Sequence, residues 1–131
     1  MEKVIAILKE NGTFFTATVE DGKPKVRPCS FFMVYEGKLY IGTGTHKATY
    51  RQLTATPYFE ICSCKGQRWV RISGRTVEDN RPEVQEAMFR EAPYLRKFYN
   101  EENGHVHSTF RVEDGVAEIM DMMGNFERIE L

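Results

Sequence analysis

Residues 13–43, TFFTATVEDGKPKVRPCSFFMVYEGKLYIGT, decide the fold class. Thr13 to Val19 is a run of β-branched and aromatic residues, which fits a pleated strand. Asp21-Gly22 then offers two residues that tolerate positive φ, the signature of a tight hairpin. Pro24 opens a second extended run that reaches about Tyr35. Glu36-Gly37 turns the chain again, and Lys38-Leu39-Tyr40-Ile41-Gly42 reads as a third strand. Strands joined by turns this short must pair antiparallel, so the segment reads as a three-stranded meander.

Working outward, Met1, Val4, Ile5 and Leu8 recur at helical spacing and stop at Asn11-Gly12, which predicts a short amphipathic helix. Thr45 can cap a helix running through Tyr50 and Leu53 that ends before Pro57. Tyr58 to Cys62 is a strand, Lys65-Gly66 is a turn, and Trp69 to Val77 is a longer strand. Asp79 or Asn80 is expected to cap a helix with Pro82 in its first turn and Val84, Ala87 and Met88 on one face. Pro93 to Tyr99 adds one helical turn. Phe110 to Val112, a turn at Asp114-Gly115, Val116 to Met122 and Phe126 to Leu131 complete the pattern. The expected fold is mainly β (α+β): a six- to seven-stranded antiparallel barrel, closed or nearly so, with short flanking helices. Closure hides the sheet edges.

The chain has 131 residues, 41% hydrophobic and 28% charged, which suits one globular domain over residues 1–131. A net charge of −1 and a pI near 6.3 argue against a nucleic-acid partner, which calls for a basic face. No apolar stretch is long enough for a bilayer span, so no membrane partner is expected. The N-terminal apolar run is short and has acidic neighbours, unlike a signal peptide. Three cysteines, Cys29, Cys62 and Cys64, make an odd count that a reducing compartment tolerates. The expected location is cytoplasmic.

Chemistry concentrates in Leu39 to Leu53, LYIGTGTHKATYRQL. A strand runs into a Gly/Thr loop and a helix starts at His46-Lys47. Backbone N–H groups at a helix start carry partial positive charge and suit an anion. Thr43 and Thr45 offer hydroxyls, Lys47 a full charge, and Gly42 and Gly44 close access to the backbone. An ordinary capped helix with a solvated Lys face is the alternative reading. A second feature is Val26-Arg27-Pro28-Cys29-Ser30. Proline removes a ladder donor, so this strand lies at an edge, a bulge or a place where pairing stops. A flat heterocycle could use the neighbouring backbone groups; a simple edge kink is the alternative.

The ordered series VRP, EGKLYIGT, a Lys followed by YRQL, TPYFEIC and WVRISG resembles the pyridoxamine 5′-phosphate oxidase-like family of FMN-binding split barrels. Its short members, general stress proteins and Nim-type nitroimidazole-resistance reductases, are the most similar. The resemblance covers roughly residues 3–130. It implies FMN as cofactor, with Arg27, Pro28, Cys29 and Ser30 along the flavin ring and Thr43 on the phosphate or ribityl chain. Thr45 belongs to the same loop, and His46 and Lys47 occupy the phosphate positions. Where some members carry Arg, this chain has His46, a weaker and titratable donor. Arg68 and Trp69 would reach the flavin from the partner subunit of a homodimer; plain packing is the alternative for Trp69. The chain lacks the extended C-terminal segment that grips pyridoxal in true pyridoxamine phosphate oxidases, so vitamin B6 oxidation is not expected. The Met-rich tail, residues 120–126, is read as core or dimer filler, with a cap over the flavin as the alternative.

The resemblance implies an oxidoreductase passing electrons from a reduced nicotinamide to a small nitroaromatic or quinone-like acceptor. A non-catalytic flavin carrier or stress sensor, or an apo interaction protein, would look the same in sequence. No side chain is assigned as catalytic, because the flavin carries the redox chemistry. Cys62-x-Cys64 and His105-x-His107 each place two potential ligands on one strand face. Their spacing is not that of a zinc knuckle, so no metal site is assigned. Haem on the His pair is a further alternative.

Overall fold

Residues with positive φ set the strand breaks. Asp21 and Gly22 have φ of 53° and 72°, and Glu36 and Gly37 have 49° and 75°. Two consecutive positive values mark a type I′ turn, whose twist matches the strands it joins. In the computed structural model, which describes residues 1–131, the first turn joins β1 (Phe14–Glu20) to β2 (Lys23–Cys29). The second joins β3 (Phe32–Tyr35) to β4 (Lys38–Gly44). Before them, α1 (Glu2–Asn11) ends at Gly12, φ 81°. After them come α2 (Ala48–Ala55), β5 (Tyr58–Lys65), β6 (Arg68–Glu78), α3 (Pro82–Glu91), a 3-10 helix (Pro93–Lys97), β7 (His107–Asp121) and β8 (Phe126–Glu130). The result is the expected mainly β, antiparallel fold with short helices. It has eight strands: the extended run after Pro24 breaks at Ser30-Phe31 into β2 and β3, while the two segments expected on either side of Asp114-Gly115 form one strand, β7.

Packing divides the chain into two compact units, with β6 and β7 contributing to both. The first comprises residues 1–30, 58–75 and 114–131. Its strands run in the order β2-β1-β5-β6-β7, with β8 paired to β7. Alternation along β1 fixes the register: Phe14, Thr16 and Thr18 are buried, while Phe15, Ala17 and Val19 face the other way. Ile61 and Ser63 on β5 and Val70 and Ile72 on β6 are buried, and α1 adds Val4, Ile7 and Leu8. A one-residue slip of β1 would turn its buried set outward. β2 ends the order and pairs only with β1. It carries Pro24 and Pro28, whose missing N–H groups an edge strand tolerates. On the outward face, Phe15 is 51% and Val26 69% exposed, and Phe15 sits opposite Pro28 on one side and Cys62 on the other.

The Met-rich turn between β7 and β8 is not core filler. Met122 and Met123 are 70% and 83% exposed. Asp121 Oδ1 accepts the backbone N–H groups of Met123 and Asn125 at 2.9 and 3.0 Å, an Asx-type arrangement that fixes the turn without burying it.

The second unit comprises residues 31–57 and 76–113. There β4 lies between β3 and β7, with Met33 opposite Tyr40 and Tyr40 opposite Arg111. α3 and the 3-10 helix supply Val84, Met88 and Leu95 to a core that includes Phe31, Met33, Tyr40 and Tyr99. Neither Asp79 nor Asn80 caps α3. The N-cap is Arg81, with no side-chain cap. Asp79 instead accepts hydrogen bonds from Tyr40 Oη at 2.9 Å and from Arg81 Nε at 2.8 Å. Its carboxyl is 7% exposed. Hydrogen bonds from Arg81, aided by Tyr40 and opposed by burial, hold it down to about 2. Asn80 donates to Ser108 Oγ at 2.9 Å and accepts from the Thr109 N–H at 2.8 Å. Short polar side chains serve tertiary partners as readily as a helix end. Asp114-Gly115 is likewise not a turn: β7 runs unbroken from His107 to Asp121, with Asp114 at φ 53° inside it.

His107 opens β7 and is 4% exposed. Its Nδ1 lies 2.9 Å from the Met88 sulfur, and its ring meets Phe31 and Tyr99 edge-on at 5.2 and 4.7 Å between centroids. Burial, with a contribution from the Lys47 charge, lowers it from 6.5 to about 4. Between those values the unfolded chain holds a proton that the native ring refuses. Stability therefore falls as pH drops from 6.5 towards 4 and stops falling on this account below 4. The full loss is about 3 kcal/mol. Urea midpoints measured across that window are expected to fall with pH in the native sequence and to lose most of that slope in His107→Gln.

Candidate functional site

The corner between β4 and α2 collects the polar residues that the Gly/Thr pattern singled out. Its placement rests on two close approaches. A Cβ on Gly42 would lie 2.3 Å from His107 Cε1 and 2.8 Å from the Ser108 carbonyl oxygen. One on Gly44 would lie 2.7 Å from His46 Cε1 and 2.8 Å from Tyr99 Cε1. Both positions therefore require glycine for space, not for φ. The glycines make room for rings of this chain, where the sequence reading gave that room to a ligand.

Beyond Gly44 the chain leaves the sheet. The Thr45 N–H donates to the Val106 carbonyl at 2.9 Å and the Lys47 N–H to Gly44 at 3.0 Å. Thr45 does not cap α2. Lys47 is the N-cap residue, and no side chain caps the helix. Thr45, His46 and Lys47 are all exposed. Thr43 is buried on β4, opposite Ser108. The corner thus presents a hydroxyl, an imidazole, an ammonium and an uncapped helix start, with no carboxylate among the three exposed side chains. That donor set fits a phosphate monoester.

All three histidines of the chain gather here. His46 and His105 stack face to face, with centroids 3.8 Å apart and planes 14° from parallel. Tyr99 lies 6.3 Å from His46 and 4.7 Å from His107, so the rings form a column from surface to core. Burial first, then His105 and Lys47, pull His46 below its ordinary value. The His105-x-His107 pair does not share a strand face as expected: His105 is an exposed loop residue and His107 a buried strand residue. The meeting of His105 with His46 spans 59 positions, set by the β4–β7 register (Gly44 opposite His107). The spacing gave no sign of it.

The remaining expected site residues belong to the first unit. Arg27, Pro28 and Cys29 lie at the end of β2, and Ser30 follows it. Arg27 Nη1 donates to the Thr16 carbonyl across the hairpin at 3.0 Å. Arg68 and Trp69 open β6, with Trp69 half-buried opposite Cys64. β1 and β5 stand between β2 and β6 in the strand order, so these two groups of residues are not neighbours within the unit. Cys62 and Cys64 share the outward face of β5, opposite Arg71 and Trp69. All three cysteines are unbridged, and burial pushes the Cys62 thiol up. No group of three or more His, Cys, Asp or Glu residues is arranged to hold a metal. No helix is long and apolar enough to cross a membrane.

Comparison with known proteins agrees with this architecture. The chain is 32% identical to a NimC/NimA family protein from Clostridium acetobutylicum, over 100% of this chain and 92% of that one, with a TM-score of 0.91. It shares its fold with General Stress Protein 26 from Bacillus anthracis: TM-score 0.72, 14% identity, 98% and 97% of the two chains covered. It likewise shares it with a pyridoxamine 5′-phosphate oxidase-related, FMN binding protein from Nostoc punctiforme: TM-score 0.61, 16% identity, 99% and 95% covered. No curated protein matches. The family profile described as pyridoxamine 5′-phosphate oxidase matches residues 1–121. With that profile across most of its length and a Nim-type structure aligned end to end, the chain belongs to the pyridoxamine 5′-phosphate oxidase-like split-barrel family.

Proposed function

We propose that this protein is an FMN-binding flavoprotein of Nim type that passes electrons from a reduced nicotinamide to a small nitroaromatic or quinone-like acceptor. The observation that carries this reading is the exposed Thr45-His46-Lys47 corner at the uncapped start of α2, in a chain of this family. Lys47 would hold the phosphate as a point charge, with Thr45 and His46 as added donors. Bound FMN would supply the redox chemistry, and the protein would supply orientation and shielding from water. Thr43 is proposed to act through the backbone of β4, since its side chain is buried. Arg27, Pro28, Cys29 and Ser30 are proposed as ring contacts through backbone groups, and Arg68 and Trp69 as contributions to the site of a second subunit. No residue is assigned a proton-transfer step.

The same reading calls for a homodimer. The outward face of β1 and β2 exposes Phe15 and Val26 beside an edge strand with one unpaired side. Apolar faces and open edges of this kind are usually covered in the working molecule, and a second copy is the occupant proposed. Light scattering is expected to give twice the 15.2 kDa of one chain, and Val26→Glu to shift the mass towards the monomer. A native protein of monomer mass that still holds flavin would remove the dimer from the proposal.

Purified protein is expected to be yellow, or to become so with added FMN, and to bleach anaerobically with NADPH or NADH and recover with a nitroaromatic or quinone. Colour that no reductant or acceptor changes would leave a flavin carrier or sensor, and failure to take up FMN would leave neither. Lys47→Ala is expected to weaken FMN binding by about 1–3 kcal/mol, roughly 5- to 150-fold, the size of a lost charged hydrogen bond. Fluorescence titration checks this, and unchanged affinity would take Lys47 out of the site.

A further inference from the structure

We propose that His105 belongs to the phosphate corner: stacked on His46 beside Lys47, it completes a clamp that grips a phosphate monoester dianion by taking up a proton. The proposal rests on the reading of this corner as the FMN phosphate site. It adds a residue from a distant loop, and with it a second titratable ring beside His46.

The geometry makes the case. The two rings are 3.8 Å apart and nearly parallel, and both residues are exposed. Two imidazolium ions at that separation repel each other, and Lys47 adds a third positive charge next to His46 in the chain. A second proton on the pair is therefore disfavoured without a counter-charge. No carboxylate is among the groups that shift His46. Behind His46 lie Tyr99, itself buried, and then His107, a neutral core ring. Glu101 and Glu102, earlier in the His105 loop, are exposed, and the ionisable groups acting on His46 are His105 and Lys47 alone. Glu78, at the end of β6, is engaged by Ser108 Oγ at 2.6 Å and by Tyr50 of α2.

The stack is held in place by the fold. The Thr45 N–H on one loop donates to the Val106 carbonyl on the other at 2.9 Å. The His105 N–H donates to Asn103 Oδ1 at 2.9 Å. Gly44 leaves the space that His46 and Tyr99 fill. A dianion placed at this corner supplies the counter-charge that the pair lacks. Each imidazole then gains a proton more readily, and by linkage the anion binds more tightly as the pH falls. An arginine at position 46 would hold its own charge at every pH and leave any such dependence to His105.

The test compares FMN with riboflavin, which lacks the phosphate. Affinities are measured between about pH 8 and pH 6.5, where the phosphate, with its second pKa near 6, stays mostly dianionic. FMN affinity is expected to rise about three- to tenfold over that range and riboflavin affinity to stay flat. His105→Phe keeps a flat ring for the stack but leaves only His46 to take up a proton, so it is expected to reduce the FMN response, and the double variant His46→Phe/His105→Phe to flatten it. A full FMN response in His105→Phe, or a riboflavin response parallel to that of FMN, overturns the proposal. Proton NMR of the imidazoles with inorganic phosphate separates this outcome from failure of the cofactor reading. The titration midpoints of His46 and His105 are expected to rise with phosphate while that of His107 stays put. Such a rise in a protein that takes up no flavin sustains the clamp and discards FMN; midpoints that ignore phosphate discard the clamp even if FMN binds.

Discussion

The candidate site depends on two side chains that are not there. Gly42 and Gly44 let β4 run against the rings of His107, His46 and Tyr99 at distances no Cβ would allow. Because the space is filled from within the chain, the loop after Gly44 has one way to leave the sheet. That exit is pinned by the Thr45–Val106 hydrogen bond and carries Lys47 to the start of α2. The column of rings beneath it is anchored by a buried, neutral His107. The anion corner is thus built outward from the core.

A second polar layer supports the same unit. Asp79 gathers Tyr40, Arg81 and, at 3.5 Å, Arg111 around one buried carboxylate, and its backbone carbonyl receives Thr109 Oγ1. Removing a donor from such a group strips a buried carboxylate of part of its compensation, which costs more than the pair contributes while intact. Its value lies in fixing β4, β7 and the approach to α3 in one arrangement.

Much of the fold was legible because turn chemistry is local. Asp21-Gly22, Glu36-Gly37 and Lys65-Gly66 each announced a hairpin that is present. Where reading failed, a tertiary partner had outbid a local one. Thr45 and Asp79 have good capping side chains, but the Thr45 backbone serves β7 and the Asp79 carboxylate serves Tyr40 and Arg81. Asp114-Gly115 has the composition of a turn, yet a single left-handed residue is absorbed within β7. The Lys47 corner was visible from the Gly/Thr-rich strand-to-helix pattern. His105 was not, because stacking on His46 depends on which residues of β4 and β7 face each other.

The turns differ sharply from the β4–β7 pairing in how far apart in sequence their partners lie. Asp21-Gly22 brings together residues that are already neighbours, whereas β4 meets β7 through pairs such as Gly42 and Thr109, 67 positions apart. Closing so long a loop carries an entropic cost that hairpins avoid. During synthesis the local hairpins can form as each emerges. The imidazole column must wait until the chain has passed residue 107, so the nascent protein acquires its hairpins before it acquires any grip on an anion.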